Sequence, residues 1–224
     1  MQPEQLSLAF CHHKLVHGGT NNDMSIKDLE PKVVWGNFYG LTQVPRPSKH
    51  EEKVIEYLLQ WGKEHNVEVM KDETGNVIFR APATPGFENR RGVILQGHMD
   101  MVPQKTSDSD HNFLTDPIKA YVDGDWVTAD RTTLGADNGM GVAMGLAALE
   151  DNSVQHGPIE ILVTYDEETG MTGAEALKPG LLKGDILLNI DSEDEKAEMA
   201  SLRVRDLRAS ISRPGSNTTR SLAI

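Results

Sequence analysis

A single cysteine, Cys11, stands in 224 residues. No internal disulfide can form, and the chain is expected to work in a reducing compartment. Aromatic residues make up only 5%, which leaves a largely aliphatic core. Positive charge is also scarce: 22 Lys and Arg face 34 Asp and Glu, for a net charge of −12. Nothing there neutralises phosphates in a stripe, so nucleic acid is not an expected partner. No apolar run reaches the ~20 residues that span a bilayer, and no membrane is expected either. The first residues lack the basic-then-apolar pattern of a secretory signal, so the expected location is cytoplasmic. No segment repeats another.

What is present is patterned. Residues 1–23 are polar, aperiodic and hold His12, His13 and His17 beside Cys11. That grouping imitates a metal cluster, but its composition predicts a disordered extension. Leu29, Val33, Val34 and Phe38 predict a helix with Pro31 near its first turn. Ser48-Lys49-His50-Glu51 reads as a capping box opening an amphipathic helix, with Val54, Ile55, Leu58, Leu59 and Gly62 on one face. Val67–Lys71 and Asn76–Ala81 predict a hairpin around Asp72-Glu73-Thr74-Gly75. Lys105–Asn112 is a polar loop with a solvated His111, and His156 belongs to a turn. Val142, Leu146 and Leu149 line a helix rich in glycine and alanine. Ala174–Leu177 predicts a short helix and Asp185–Ile190 a strand. From Val93 onward strands and helices alternate, which predicts an α/β fold: a mixed, largely parallel sheet flanked by helices.

The chemistry gathers where these strands end. The apolar run Val93-Ile94-Leu95 leads to His98 and Asp100. A lone histidine after a strand is more often a hydrogen-bonded core residue than a ligand. Three further segments alter that weighing. Gly135-Ala136-Asp137-Asn138-Gly139 sets an acid in a glycine-flanked turn before a helix. Glu167 and Glu168 follow the run Ile159–Thr164, and Asp191 follows Ile186-Leu187-Leu188. In open α/β sheets, ligands sit at the carboxyl ends of the strands. One imidazole and several carboxylates there suit Zn, Mn or Co.

These segments, in this order, resemble the M20 family of metallopeptidases, and within it the cytosolic dipeptidase branch. The resemblance rests on Val44-Pro45-Arg46-Pro47-Ser48-Lys49-His50-Glu51-Glu52, Gln96-Gly97-His98-Met99-Asp100-Met101-Val102-Pro103-Gln104, Thr132-Thr133-Leu134-Gly135-Ala136-Asp137-Asn138-Gly139, Glu167-Glu168-Thr169-Gly170-Met171 and Asn189-Ile190-Asp191-Ser192-Glu193. It implies hydrolysis of dipeptides, Xaa-His and others, by a water that two divalent metals activate, most simply zinc. His98 would bind the first metal with Asp191, and Asp100 would hold the imidazole. Asp137 would bridge the two metals and Glu168 would bind the second. Glu167 would be the general base. A family member acting instead on N-acyl amino acids, and a non-catalytic metal-binding remnant, are the alternatives.

The resemblance covers 24–195, expected to be the N-terminal part of the catalytic domain. Family members are longer. They insert a lid domain, through which they often dimerise, after the Asp191 region, and then supply a histidine to the second metal. No residue of this chain matches that histidine, and no lid domain is expected from 196–224, which reads as an aberrant or disordered tail. The chain is therefore expected to be truncated, weakly active or inactive, with one apolar face of its sheet uncovered. Arg131 stands where relatives carry glycine, so the Asp137 loop is expected to shift.

Overall fold

The computed structural model describes residues 24–191 and the strand 201–203. The polar extension 1–23, with Cys11, His12, His13 and His17, and almost all of the 196–224 tail lie outside the described residues.

A short 3-10 turn at Ile26–Asp28 precedes helix α1, Lys32–Thr42. The helix begins after Pro31, whose ψ of 128° is extended, and not at Leu29 as its apolar pattern suggests. Helix α2, Glu52–Glu64, buries Val54, Ile55, Leu58, Trp61 and Gly62. The capping box is not formed. Ser48 does not cap the helix, and its backbone N–H donates to Met101 O at 3.3 Å. The chain turns through Lys49 at φ 70°, and Glu51 starts the helix by accepting the Ile55 N–H at 2.9 Å. A short helix-start motif lost here to tertiary contacts with the loop after His98.

Strands β1, Glu68–Lys71, and β2, Val77–Ala81, form the expected hairpin. One Asp72 carboxylate oxygen accepts the N–H groups of Thr74, Gly75 and Asn76, each at 2.9 Å. Next come β3, Val93–His98, then β4, Ala120–Asp123, and β5, Trp126–Ala129. Helix α3, Ala136–Glu150, leads to β6, Ile159–Thr164. Two single-turn helices follow, α4 at Glu167–Gly170 and α5 at Thr172–Glu175. Strands β7, Ile186–Asn189, and β8, Ser201–Arg203, complete the described elements.

The main sheet has the order β1-β2-β6-β3-β7-β8. Its centre, β6-β3-β7, is parallel, and both flanks are antiparallel. Three helices cover one face, where Phe38, Leu58, Val142 and Leu146 meet Val77, Phe79, Ile161 and Val163. Gly145 makes this close: a Cβ there would stand 3.2 Å from Ile161. On the opposite face Ile78, Ile94, Leu162 and Leu187 are fully buried. That corrects the expectation of an uncovered face: Met171, Ala174, Leu177, Leu181 and Leu182 pack over it. No helix among the described residues is long and apolar enough to cross a membrane.

A partly buried ion pair fastens this cover. Arg80 Nε donates to Glu160 Oε1 at 2.9 Å, and its Nη2 donates to Leu181 O at 2.7 Å. Glu160 Oε2 accepts the N–H groups of Lys183 and Gly184, both at 2.7 Å. Removing Glu160 leaves the Lys183 and Gly184 N–H groups without their acceptor, while Arg80 keeps the Glu68 carboxylate at 3.3 Å. Glu160→Ala is therefore expected to cost about 1–3 kcal/mol of unfolding free energy. Urea denaturation measures it, and a loss below about 1 kcal/mol, the worth of an exposed pair, would show that the cover is held by apolar packing alone.

Candidate metal centre

The parallel centre of the sheet delivers the acidic turns to one end. His98 is the last residue of β3, opposite Thr164 of β6. Two residues past Thr164, Asp166 adopts a left-handed conformation, φ 50° and ψ 58°, and so turns the chain into Glu167 and Glu168. Asp191 lies just beyond β7. Asp137 lies in the first turn of α3 with non-helical angles, φ −82° and ψ 116°.

His98 is buried at the centre. Its Nε2 stands 2.9 Å from Asp137 Oδ1, 3.8 Å from Glu167 Oε2 and 3.9 Å from Asp191 Oδ2. Its Nδ1 stands 3.2 Å from Asp100 Oδ1. Asp100, Asp137, Glu167 and Asp191 therefore meet on His98, and Glu168 offers a carboxylate oxygen within 4.8 Å of the His98 and Asp137 donor atoms. Arg131 takes the φ of 56° that a glycine would adopt freely, and it is tied to Asp108 O at 3.0 Å. With Asp137 against His98, the expected shift of that loop does not carry it away from the centre.

Asp100 does more than orient an imidazole. Its Oδ1 accepts the Glu167 N–H at 3.0 Å, and its Oδ2 accepts the Glu168 N–H at 3.2 Å. One buried carboxylate thus sets both the histidine and the double-glutamate turn. Burial opposes its charge, but the His98 contact outweighs that and holds it down at about 2. Burial likewise opposes the His98 cation. Hydrogen bonds to Asp100 and Asp137 win, and the imidazole is lifted to about 10. The neighbouring acids are crowded. Burial and the Asp137 charge push Glu168 up to about 7. Burial raises Asp191 to about 6, with the Asp137 charge adding to the shift.

Three contributors are polar residues to which the sequence assigned no role in the site. Arg46 is fully buried, and its guanidinium donates to Met99 O at 2.9 Å, to Asp100 O at 3.1 Å and to Gly135 O. Asn138 Nδ2 donates to Ile190 O at 2.7 Å and to Asp191 Oδ1 at 3.0 Å, fixing the last acid against α3. Glu51 Oε1 accepts the Asp166 N–H at 3.2 Å and so supports the glutamate turn from below. His111, expected in solvent, is half-buried: its ring meets Phe113 edge-on at 4.5 Å, and burial lowers its pKa. Arg46 and Glu51 lie within one of the quoted motifs and Asn138 within another, but membership of a motif does not reveal burial.

Residues 94–206 match the model of peptidase family M20/M25/M40. The chain belongs to that family. It is 51% identical over 170 residues to the cytosol non-specific dipeptidase of Escherichia coli K12, covering 76% of this chain and 35% of that relative. The crystal structure of the aminoacylhistidine dipeptidase from Vibrio alginolyticus superposes with a TM-score of 0.74 at 55% identity, over 76% of this chain and 35% of that one. The aminopeptidase PepT of Bacillus cereus gives 0.62 at 27% identity, over 73% and 44%. The chain spans about a third of the length of the first two relatives.

The M20 residues can be tested as metal donors on their own geometry. Two trios hold donor atoms mutually within 4.8 Å: His98, Asp137 and Glu168, and His98, Glu167 and Asp191. Ligands bonded at 2.0–2.2 Å to a tetrahedral ion lie about 3.4 Å apart, so small rotamer changes close either trio. Both trios share one imidazole nitrogen, because Nδ1 faces Asp100. His98 can therefore complete only one ion. A third trio, Glu51, Asp100 and Asp166, is buried, but Asp166 already takes the hydroxyls of Thr169 and Thr172.

Glu51 supplies a pH test. Burial raises its carboxyl to about 7, with Asp100 and Asp166 adding repulsion. A folded-state pKa above the unfolded value means that the folded state holds the proton more tightly. Its relative stability then falls as pH rises from about 4.5 to about 7. Glu51→Gln stays neutral and can still accept from Asp166. Its melting temperature relative to wild type is expected to rise between pH 5 and pH 8. A pH-independent difference would show that Glu51 titrates normally.

Proposed function

We propose that this chain carries the metal-binding part of a dipeptidase active centre. The observation that carries the reading is the convergence of Asp137, Glu167 and Asp191 on His98 Nε2, with Asp100 behind the ring. His98 and Asp191 would hold one divalent ion, Asp137 would bridge to a second, and Glu168 would hold that second ion. Zinc fits this nitrogen and oxygen set, and manganese or cobalt could replace it. Bound cations would lower the pKa of a water and polarise the scissile carbonyl.

The chain's own groups do the remaining work. Glu167 stands beside the His98–Asp191 position and accepts a proton from the attacking water, then returns it to the leaving amine. Asp100 keeps Nδ1 occupied, which would leave Nε2 to ligate an ion. Asn138 keeps Asp191 turned inward. Among the described residues the second ion has only Asp137 and Glu168, one fewer than the three protein ligands usual at catalytic zinc. It is expected to bind more weakly than the first. Dipeptides, Xaa-His among them, are the substrates this reading favours, in a cytoplasmic setting. The names of the Escherichia coli and Vibrio relatives support both.

The direct test is a panel of dipeptides and N-acyl amino acids assayed with Zn, Mn and Co. Dipeptide cleavage that depends on metal and on Glu167 supports the reading. Cleavage of N-acyl amino acids alone would move it to deacylation. Metal uptake with neither activity would leave a metal-binding module.

A further inference from the structure

We infer that Arg46 is a positioning residue for the centre, tying the strand exit that carries His98 to the turn that carries Asp137. This rests on the metal reading above and adds a residue to it. The guanidinium reaches two separate backbone segments at once. Met99 O and Asp100 O belong to the exit of β3, and Gly135 O belongs to the start of the Asp137 turn. Arg46 comes from a third segment, anchored where the Met101 N–H donates to Arg46 O at 3.1 Å. All three bonds end on backbone carbonyls, so the arginine fixes chain positions and leaves the acids free to take ions.

The site is shaped around this side chain. Gly135, at φ 72°, and Gly139 both leave room for it. A Cβ on Gly135 would stand 2.5 Å from Nη2, and one on Gly139 would stand 2.6 Å away. Burial lowers the guanidinium pKa to about 10, and the nearby Asp100, Asp137 and Glu168 charges work against that fall. Burying a guanidinium is costly, the more so because its Nε has no hydrogen-bond partner among the described residues. The return is a planar fork spanning two loops, which one ammonium cannot copy.

Two variants separate position from folding. Arg46→Lys keeps a cation but cannot bridge both loops. Gly139→Ala keeps the arginine and crowds Nη2 away from Gly135 O, its Cβ also coming within 3.1 Å of Phe38. Amide exchange is measured on the metal-free chain by mass spectrometry. Both variants should speed exchange at least tenfold at 135–140 and leave the β1–β2 hairpin unchanged. Cobalt alone is then titrated and followed by its visible absorption. Both variants should bind the first equivalent at least tenfold more weakly and show an altered band. Wild-type exchange and an unchanged cobalt band in both variants overturn the inference. So does faster exchange spread evenly over the chain, which is general destabilisation. A wild-type chain that takes up no cobalt overturns the metal reading instead, and the exchange arm alone then decides whether Arg46 fixes the turn.

Discussion

If Glu167 is the general base proposed above, Glu167→Gln in a version of the enzyme completed to the length of its relatives is expected to lower dipeptide turnover by about 10²–10⁴, the usual contribution of a positioned general base, while bound metal stays at the wild-type level. Glu168→Ala is expected to lose metal first and activity as a consequence. The two side chains leave adjacent residues of one turn in different directions. Glu167 falls with His98 and Asp191, and Glu168 falls with His98 and Asp137. Glu168 also has its pKa raised by burial and by the Asp137 charge, a repulsion that a shared cation would relieve. Metal content by mass spectrometry, beside kcat at saturating zinc, separates the roles. Equal metal loss in both variants would reverse or remove the assignment.

Asp100→Asn is nearly isosteric and should still be severe. Both carboxylate oxygens are in use: Oδ1 faces His98 Nδ1 and the Glu167 N–H, and Oδ2 faces the Glu168 N–H. An amide has one acceptor oxygen, so its NH2 must oppose a donor on one side. Leaving a buried donor unmatched costs about 1–3 kcal/mol. Loss of the group that sets a ligating imidazole typically weakens metal binding by about 10–100-fold. Zinc affinity by competition with a chromophoric chelator, with urea denaturation of the metal-free chain, reads both effects. Stability loss with unchanged affinity would limit Asp100 to a structural part.

Much of this was legible in the residues, for reasons that differ by element. Strands β3 and β7 each open on three consecutive apolar residues, and β6 is apolar up to Thr164 but for Glu160, so all three read as the short apolar runs of a sheet centre. Their ends could be located, and with them His98, Glu167, Glu168 and Asp191. Helix α2 was visible through its 3.6-residue period. The β4–β5 hairpin was not recognised. It lies apart from the main sheet, and its one clear sign was Asp123-Gly124, with Gly124 at φ 59°. Arg46, Glu51 and Asn138 were illegible in a different way. Each is a polar residue whose composition suggests surface, and each is buried by contacts with segments distant in the chain. Glu51 was misread as part of a capping box because that pattern is local, while its carboxylate answers to Asp166.

The register of the central parallel strands also bears on how the molecule folds. His98 is aligned with Thr164, and Gln96 with Asn189, so the centre exists only after strands far apart in sequence have paired. The bonds that shape it reach across 39, 67 and 93 residues. Contacts of such separation form late, because loop closure precedes any gain from pairing. Metal capture should therefore lag behind secondary structure in refolding. A zinc-sensitive probe would then report the last step of assembly, and a slipped strand would be silent to it.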